Sequence, residues 1–129
     1  MPGNILLEDL DIYQLAVEIG ESVWEVTGKW DYFSKRTVGQ QFVAAADSIA
    51  ANIAEGYGRY FYRDRKQFCY YARGSMMETK AWAMKSLKRK LISAHAHDIL
   101  LDKLRVLHFK LNIYIKKLKQ NIAEGKERL

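Results

Sequence analysis

Very little in this sequence breaks a helix. Its one proline sits at position 2, and only 8 of its 129 residues are glycine. A β-fold of this length needs Gly/Pro-marked turns at short intervals, so long helices are expected instead. The one cysteine, Cys69, cannot close an internal disulfide and fits a reducing, cytoplasmic setting. No apolar run approaches the roughly 20 residues of a membrane span, so no membrane partner is expected. The first residues lack the basic-then-apolar order of a signal peptide. Chemistry-bearing groups are equally thin. His95, His97, Asp98 and His108 are the only set to weigh for a metal, and His95 and His97, two apart at a helix start, diverge. No glycine-rich loop follows a strand, and neither Cys69 nor the histidines stand at a nucleophile–base spacing. Glu55 and Glu78 lack the Glu-x-x-His partners of a di-iron bundle. No cofactor and no enzymatic activity are expected.

What the sequence has is apolar surface in helical register. Residues 1–129 suit one domain with a real core, 49% of them being hydrophobic. Four amphipathic segments are expected, at about 10–28, 36–57, 64–92 and 94–123. In the first, capped by Asp9 or Asp11, Ile12, Ala16, Ile19, Val23, Val26 and Trp30 keep the 4-3 rhythm of a bundle seam. A loop from Gly28 to Phe33 follows, its Trp30, Tyr32 and Phe33 expected to plug the end of the bundle. Ser34 or Thr37 caps the second helix, whose seam is Val38, Phe42, Ala45, Ile49, Asn52 and Gly56. Asp64 caps the third, with a stripe of Phe68, Ala72, Ser75, Thr79 and Trp82. Ser93 caps the fourth, whose seam is Leu100, Leu104, Leu107, Leu111, Tyr114, Leu118 and Ile122, and the chain frays from Gly125. Short connections between four such segments predict an all-α, antiparallel, up-down-up-down four-helix bundle.

The stretch Asp47–Arg59 organises the rest. Its alanines keep the helix surface shallow, so that another helix can approach closely, and Gly58 is the expected left-handed C-cap. Asn52 and Glu55 are polar residues that plain packing does not require. Glu55 is either a partly desolvated carboxylate paired with Arg59 or Arg73, or a solvated helix residue. Gly74, inside the third helix, costs about 1 kcal/mol relative to alanine, a cost that close contact with another backbone would offset. Glu78 is either a buried partner for Arg73 or Arg59, or an exposed residue.

Charge is uneven along the chain. Residues 1–58 carry −6, residues 59–92 carry +8 and residues 93–129 carry +4. That asymmetry suits a polyanion, head-to-tail self-association, or both. The turn Tyr57–Arg63 interleaves aromatics with arginines, so that Tyr60 and Tyr62 are candidates to stack on bases. Equally, Tyr57 and Phe61 can be core plugs and the arginines a solvated rim. Candidate phosphate contacts are Arg59, Arg63, Arg65 and Lys66; Lys85, Lys88, Arg89 and Lys90; and Lys116, Lys117 and Lys119. Part of the Lys85–Lys90 group is what any helix C-terminus favours.

Two ordered motifs carry a family resemblance. Ser48-Ile49-Ala50-Ala51-Asn52-Ile53-Ala54-Glu55-Gly56-Tyr57-Gly58-Arg59 and Ala72-Arg73-Gly74-Ser75-Met76-Met77-Glu78 resemble the signatures of the four-helix-bundle proteins encoded in intervening sequences of bacterial 23S rRNA genes. Asp11–Ala16 is similar to that family's first helix. Where the family often has paired arginines this chain has Val43 and Ala44, and where it often has proline this chain has Ala50. The resemblance implies a ring-like homo-oligomer, a pentamer, and kinship with the accessory bundles of diversity-generating retroelements, which partner RNA and a protein, a reverse transcriptase. Two functions are therefore expected to compete: a self-associating module that binds RNA or DNA, and a structural oligomer or adaptor that binds neither.

Overall fold

The computed structural model describes residues 5–127; Pro2 lies outside them. Four helices make the fold: α1 Asp11–Thr27, α2 Gln40–Tyr57, α3 Tyr62–Lys88 and α4 Ala94–Ala123. Their contacts show the direction of each neighbour. Between α1 and α2, Asp47 lies against Gly20, and Trp30 stacks near Phe42 with ring centroids 6.3 Å apart. Between α2 and α3, Gly56 lies against Phe68, and Ser48 Oγ is 2.7 Å from Ser75 Oγ. Arg73 bonds Asn112 on α4 at 2.8 Å, and the Tyr62 amide donates to Glu127 O at 2.8 Å. Lys103 and Lys110 on α4 reach back to Glu18 and Asp11 on α1, at 3.1 and 3.3 Å. In every pair rising numbers meet falling ones, so the bundle is antiparallel and closes in the order α1–α2–α3–α4–α1.

The seams bury as their spacing requires. Ile12, Ala16, Ile19 and Val23 share one core with Phe42, Ala46, Ile49 and Ile53, and Leu100, Leu104, Leu107, Leu111 and Leu118 close it from α4. Five details depart from expectation. On α3 the buried stripe is Cys69, Ala72, Met76, Thr79 and Ala83, while Phe68, Ser75 and Trp82 are only half-buried, because α3 packs against both α2 and α4 and its buried face turns between them. Thr27 takes the last buried place on α1 while Val26 and Trp30 are half-buried; the Thr27 hydroxyl donates to Val23 O at 2.9 Å, so burying it leaves nothing unpaired. Ile115 is buried and Tyr114 only half-buried, because a heptad drifts by about 20° on a straight helix and α4 is long. Asn52 and Ile122 are also only half-buried. Tyr32 and Phe33 do not plug the bundle, being 72% and 75% exposed.

The helix ends are also corrected. Neither Asp9 nor Asp11 caps α1; Leu10 holds that place without a side-chain bond. Before α2, Asp31 rather than Ser34 or Thr37 caps the helical run, accepting from the Ser34 amide at 3.0 Å. That bond holds the Asp31 carboxyl below its ordinary range. The chain then turns through Tyr32–Ser34 and a wider π-type turn, Lys35–Gly39, directly into α2. Phe61, not Asp64, precedes α3, and Ser93 caps α4 by accepting from the Ala96 amide. Gly58 stays right-handed at φ −77°, whereas the left-handed reversal after α3 falls on Lys90, φ 61°. The Leu91 amide then reaches Ser86 O at 2.8 Å, a Schellman closure. Gly125, φ 82°, makes the same closure after α4. The chain there is folded back onto the start of α3 through Glu127, so Gly125–Glu127 does not fray.

Gly74 does not have the role expected of it. A Cβ added there meets nothing within 4 Å, whereas one added at Gly56 falls 2.8 Å from Phe68 Cβ and 3.3 Å from Arg65 O. The close helix approach is therefore at Gly56. Gly56→Ala should destabilise the fold by about 1–3 kcal/mol through overpacking, while Gly74→Ala should stabilise it by about 0.5–1 kcal/mol. Urea melts of the two variants check this, and the opposite ranking would place the contact wrongly.

Candidate nucleic-acid interface

The polar residues of the two motifs join α2 to α3. Asn52 Nδ2 donates to Ser48 O at 2.9 Å and, more weakly, to Ser75 Oγ at 3.5 Å. Thr79 Oγ1 donates to Ser75 O at 2.7 Å, extending the chain of bonds along α3. These groups are bonded to one another across and along the α2–α3 contact. Glu55 is not buried. Its carboxylate pairs with Arg59 at 2.9 Å, and the two side chains are 52% and 45% exposed. A pair one turn apart at that exposure contributes little, because water screens it. Glu78 is exposed and makes no ion pair among the described residues, while Arg73 bonds Asn112 and lies over the Tyr70 ring at 5.0 Å.

Arg65 is buried, only 7% exposed, and its donors are committed. Its Nη2 donates to Tyr57 O at 2.8 Å, its Nε donates to Arg59 O at 3.1 Å, and the guanidinium lies over the Tyr57 ring at 4.6 Å. Those carbonyls lie at and just beyond the C-terminus of α2, so Arg65 supplies the termination expected from a left-handed Gly58. It is not available to a phosphate. Nearby, burial pushes the Cys69 thiol up to about 12, against the opposing pull of Arg65 and Arg73, so it stays protonated and unreactive at neutral pH. Burial likewise raises the Tyr114 phenol.

The turn ahead of α3 sorts its rings. Tyr60 and Phe61 are 56% and 45% exposed and meet edge to face, centroids 5.1 Å apart. Tyr62 is half-buried against the core, and half-buried Tyr57 donates its hydroxyl to Ile5 O. The exposed pair is therefore Tyr60 and Phe61, not Tyr60 and Tyr62. The expectation of Phe61 as a core plug fails for the same reason. Arg63 is exposed and Lys66 half-buried, and Arg59 lies over the Phe68 ring at 4.9 Å.

The bundle divides the cations between its two ends. Arg59, Arg63 and Lys66 stand at the start of α3, beside the last turns of α4 with Lys116, Lys117 and Lys119. Lys85, Lys88, Arg89 and Lys90 stand at the far end of α3, and 25 residues of helix separate Arg63 from Lys88 by roughly 38 Å. Lys29, Lys35 and Arg36, the only cations of residues 1–58, join this second group. Lys29 and Trp30 border a shared cleft with Leu91–Ser93. The sequence reading missed these three because linear segments averaged them into an acidic half. The signal for them was topological: α1 ends, and α2 begins, where α3 ends. Among the described residues no three His, Cys, Asp or Glu side chains gather to hold a metal, and no helix is long and apolar enough to cross a membrane.

The sequence profile of the 23S rRNA-intervening sequence protein family matches residues 8–112. In structure the chain is similar to a protein of unknown function from the S23 ribosomal protein family of Bacteroides thetaiotaomicron. Identity is 16%, TM-score 0.73, and the match covers 81% of this chain and 98% of that one. No curated protein matches. At that identity the structural likeness speaks for the bundle fold.

The site yields a contrast between its two most prominent charged residues. Arg65→Ala strands the carbonyls of Tyr57 and Arg59 and should cost about 1–3 kcal/mol. Glu55→Ala should change stability by less than about 0.5 kcal/mol. Thermal and urea melts measure both, and a cost above about 2 kcal/mol for Glu55→Ala would return the carboxylate to a buried role.

Proposed function

The chain belongs to the 23S rRNA-intervening sequence protein family, and from that premise we propose that it is a non-enzymatic, self-associating bundle of the cytoplasm that binds nucleic acid, RNA in preference, through the phosphate backbone. The observation that carries the reading is the basic turn before α3. Arg59 and Arg63 flank two solvent-facing rings, Tyr60 and Phe61, and the basic end of α4 lies alongside. Cations hold phosphates without regard to sequence, and exposed rings offer faces on which unpaired bases stack.

Self-association, as a homo-oligomer and most simply a ring of five, rests on a second observation. Trp24, Phe109 and Ile113 are 64%, 68% and 53% exposed, large apolar side chains that contact with another copy would take out of water. The rival reading keeps the oligomer and assigns the charges to contacts between copies or to a protein partner, with no nucleic acid bound.

Binding should weaken linearly on a log–log salt plot, with slope about −0.9 per phosphate on duplex and −0.7 on single strands. Replacing Arg63, Lys66, Lys88 and Arg89 with glutamine should flatten the slope and weaken all sequences alike. Phe61→Ala should weaken single strands selectively. Absence of binding to RNA or DNA at about 50 mM salt would leave the structural reading. Light scattering at tens of micromolar should give a multiple of the chain mass, and a monomer would end the self-association reading.

A further inference from the structure

Resting on the nucleic-acid reading above, we propose that the groove between α3 and α4 is a track for one unpaired strand lying along the bundle axis. On α3, Lys66, Arg73 and Lys80 stand seven residues apart, on one face and about 10.5 Å from each other along the helix, and Lys88 continues the row. Tyr70, Met77 and Met84 interleave with them four residues behind. Met77 and Met84 are 58% and 54% exposed, thioethers set in a basic row where packing does not require them. The α4 wall supplies Arg105 and His108, which with Arg73, Met77 and Lys80 border a cleft of about 310 Å³. Lys119 extends the wall, its ammonium 5.9 Å from the Tyr70 ring that Arg73 also covers. The one carboxylate on the cleft, Asp102, is taken by Arg105 at 2.9 Å, so the groove stays net basic.

Shape and chemistry favour a single strand over a duplex. Packed helices have axes about 8–10 Å apart, and the channel between two of them is narrower than a duplex. A duplex also presents only its phosphates to such a surface, leaving the exposed thioethers of Met77 and Met84 without a partner. An unpaired strand offers both phosphates to the cation row and base faces to the apolar residues between. The row from Lys66 to Lys88 is ~33 Å long, which a stacked strand covers in about 10 nucleotides at 3.4 Å each. The track also joins the cations at the two ends of the bundle.

The test uses labelled single-stranded oligoribonucleotides of graded length, with the matching duplex as competitor, on the full chain. Affinity should climb to a length of about 10 nucleotides, and the duplex should compete poorly. Lys80→Gln with Arg105→Gln, both bordering the cleft and outside the two end groups, should cut the log–log salt slope by about 1.4, two phosphates at 0.7 each. Met77→Glu should weaken single strands by roughly tenfold or more, with helicity by circular dichroism unchanged. If wild-type protein binds and both variants keep its slope and affinity, the strand does not lie in this groove, although the basic ends still bind. Equal competition by duplex would overturn the choice of an unpaired strand. Loss of the oligomer in the Lys80/Arg105 variant, with binding untouched, would assign the groove to a second copy instead. Failure of the wild type to bind any nucleic acid would remove both this inference and the function it rests on.

Discussion

The close approach of α2 and α3 at Gly56 is the constraint on which the remaining architecture depends. With no side chain at that position, the Phe68 Cβ and the Arg65 carbonyl come near enough that a methyl group would collide with them. Ala72, fully buried on the same face of α3, adds little bulk to that contact. Because the helices are this close, the short hydroxyl side chains of Ser48 and Ser75 can bond across the interface at 2.7 Å. A wider spacing would leave those hydroxyls half-buried and unpaired, at a cost comparable to the bond itself. Steric and polar terms thus point the same way, which is how a sequence favours one packing over its competitors.

The same contact decides what becomes of the arginines. Arg65 lies under the end of α2, where the last turn of a helix leaves carbonyls without amide partners. Its guanidinium satisfies two carbonyls and covers the Tyr57 ring. With its donors turned inward, it leaves Arg59 and Arg63 to face solvent. Neighbours in a basic run therefore have opposite destinies, one a structural cap and the others candidate ligands. The distinction follows from helical phase: Arg65 falls with Cys69, Ala72 and Met76 on the buried face.

Charge is arranged by topology and not by segment. An antiparallel bundle brings the end of α1 to the level of the end of α3, so Lys29, Lys35 and Arg36 stand at the same end as Lys85–Lys90 although some fifty residues separate them in sequence. Carboxylates of α1 are drawn partly into pairs with α4, Glu18 with Lys103 and Asp11 with Lys110. What reads as an acidic half and a basic half becomes a molecule with cations at both ends of the bundle and along α3 and α4, those at the start of α3 interspersed with Glu55, Asp64, Glu124 and Glu127. A polyanion that follows a line of cations gains more from that arrangement than a compact anion does.

The sequence alone determined the helices, their order and most of the core, because the 4-3 spacing of apolar residues fixes which face of each helix must leave water. The core on α1 from Ile12 to Val23 and the Ser93 cap were legible for that reason, each resting on local chemistry. Tertiary structure alone decided the rest. Whether Glu55 is buried, which glycine tolerates a side chain, which aromatics of the Tyr57–Tyr62 turn face water and whether Arg65 is free all depend on where a second helix lies. Periodicity gives the phase of a helix but not the distance to its neighbour. A glycine, a glutamate and an arginine are each compatible with two environments, and only the packing of α3 against α2 and α4 selects one.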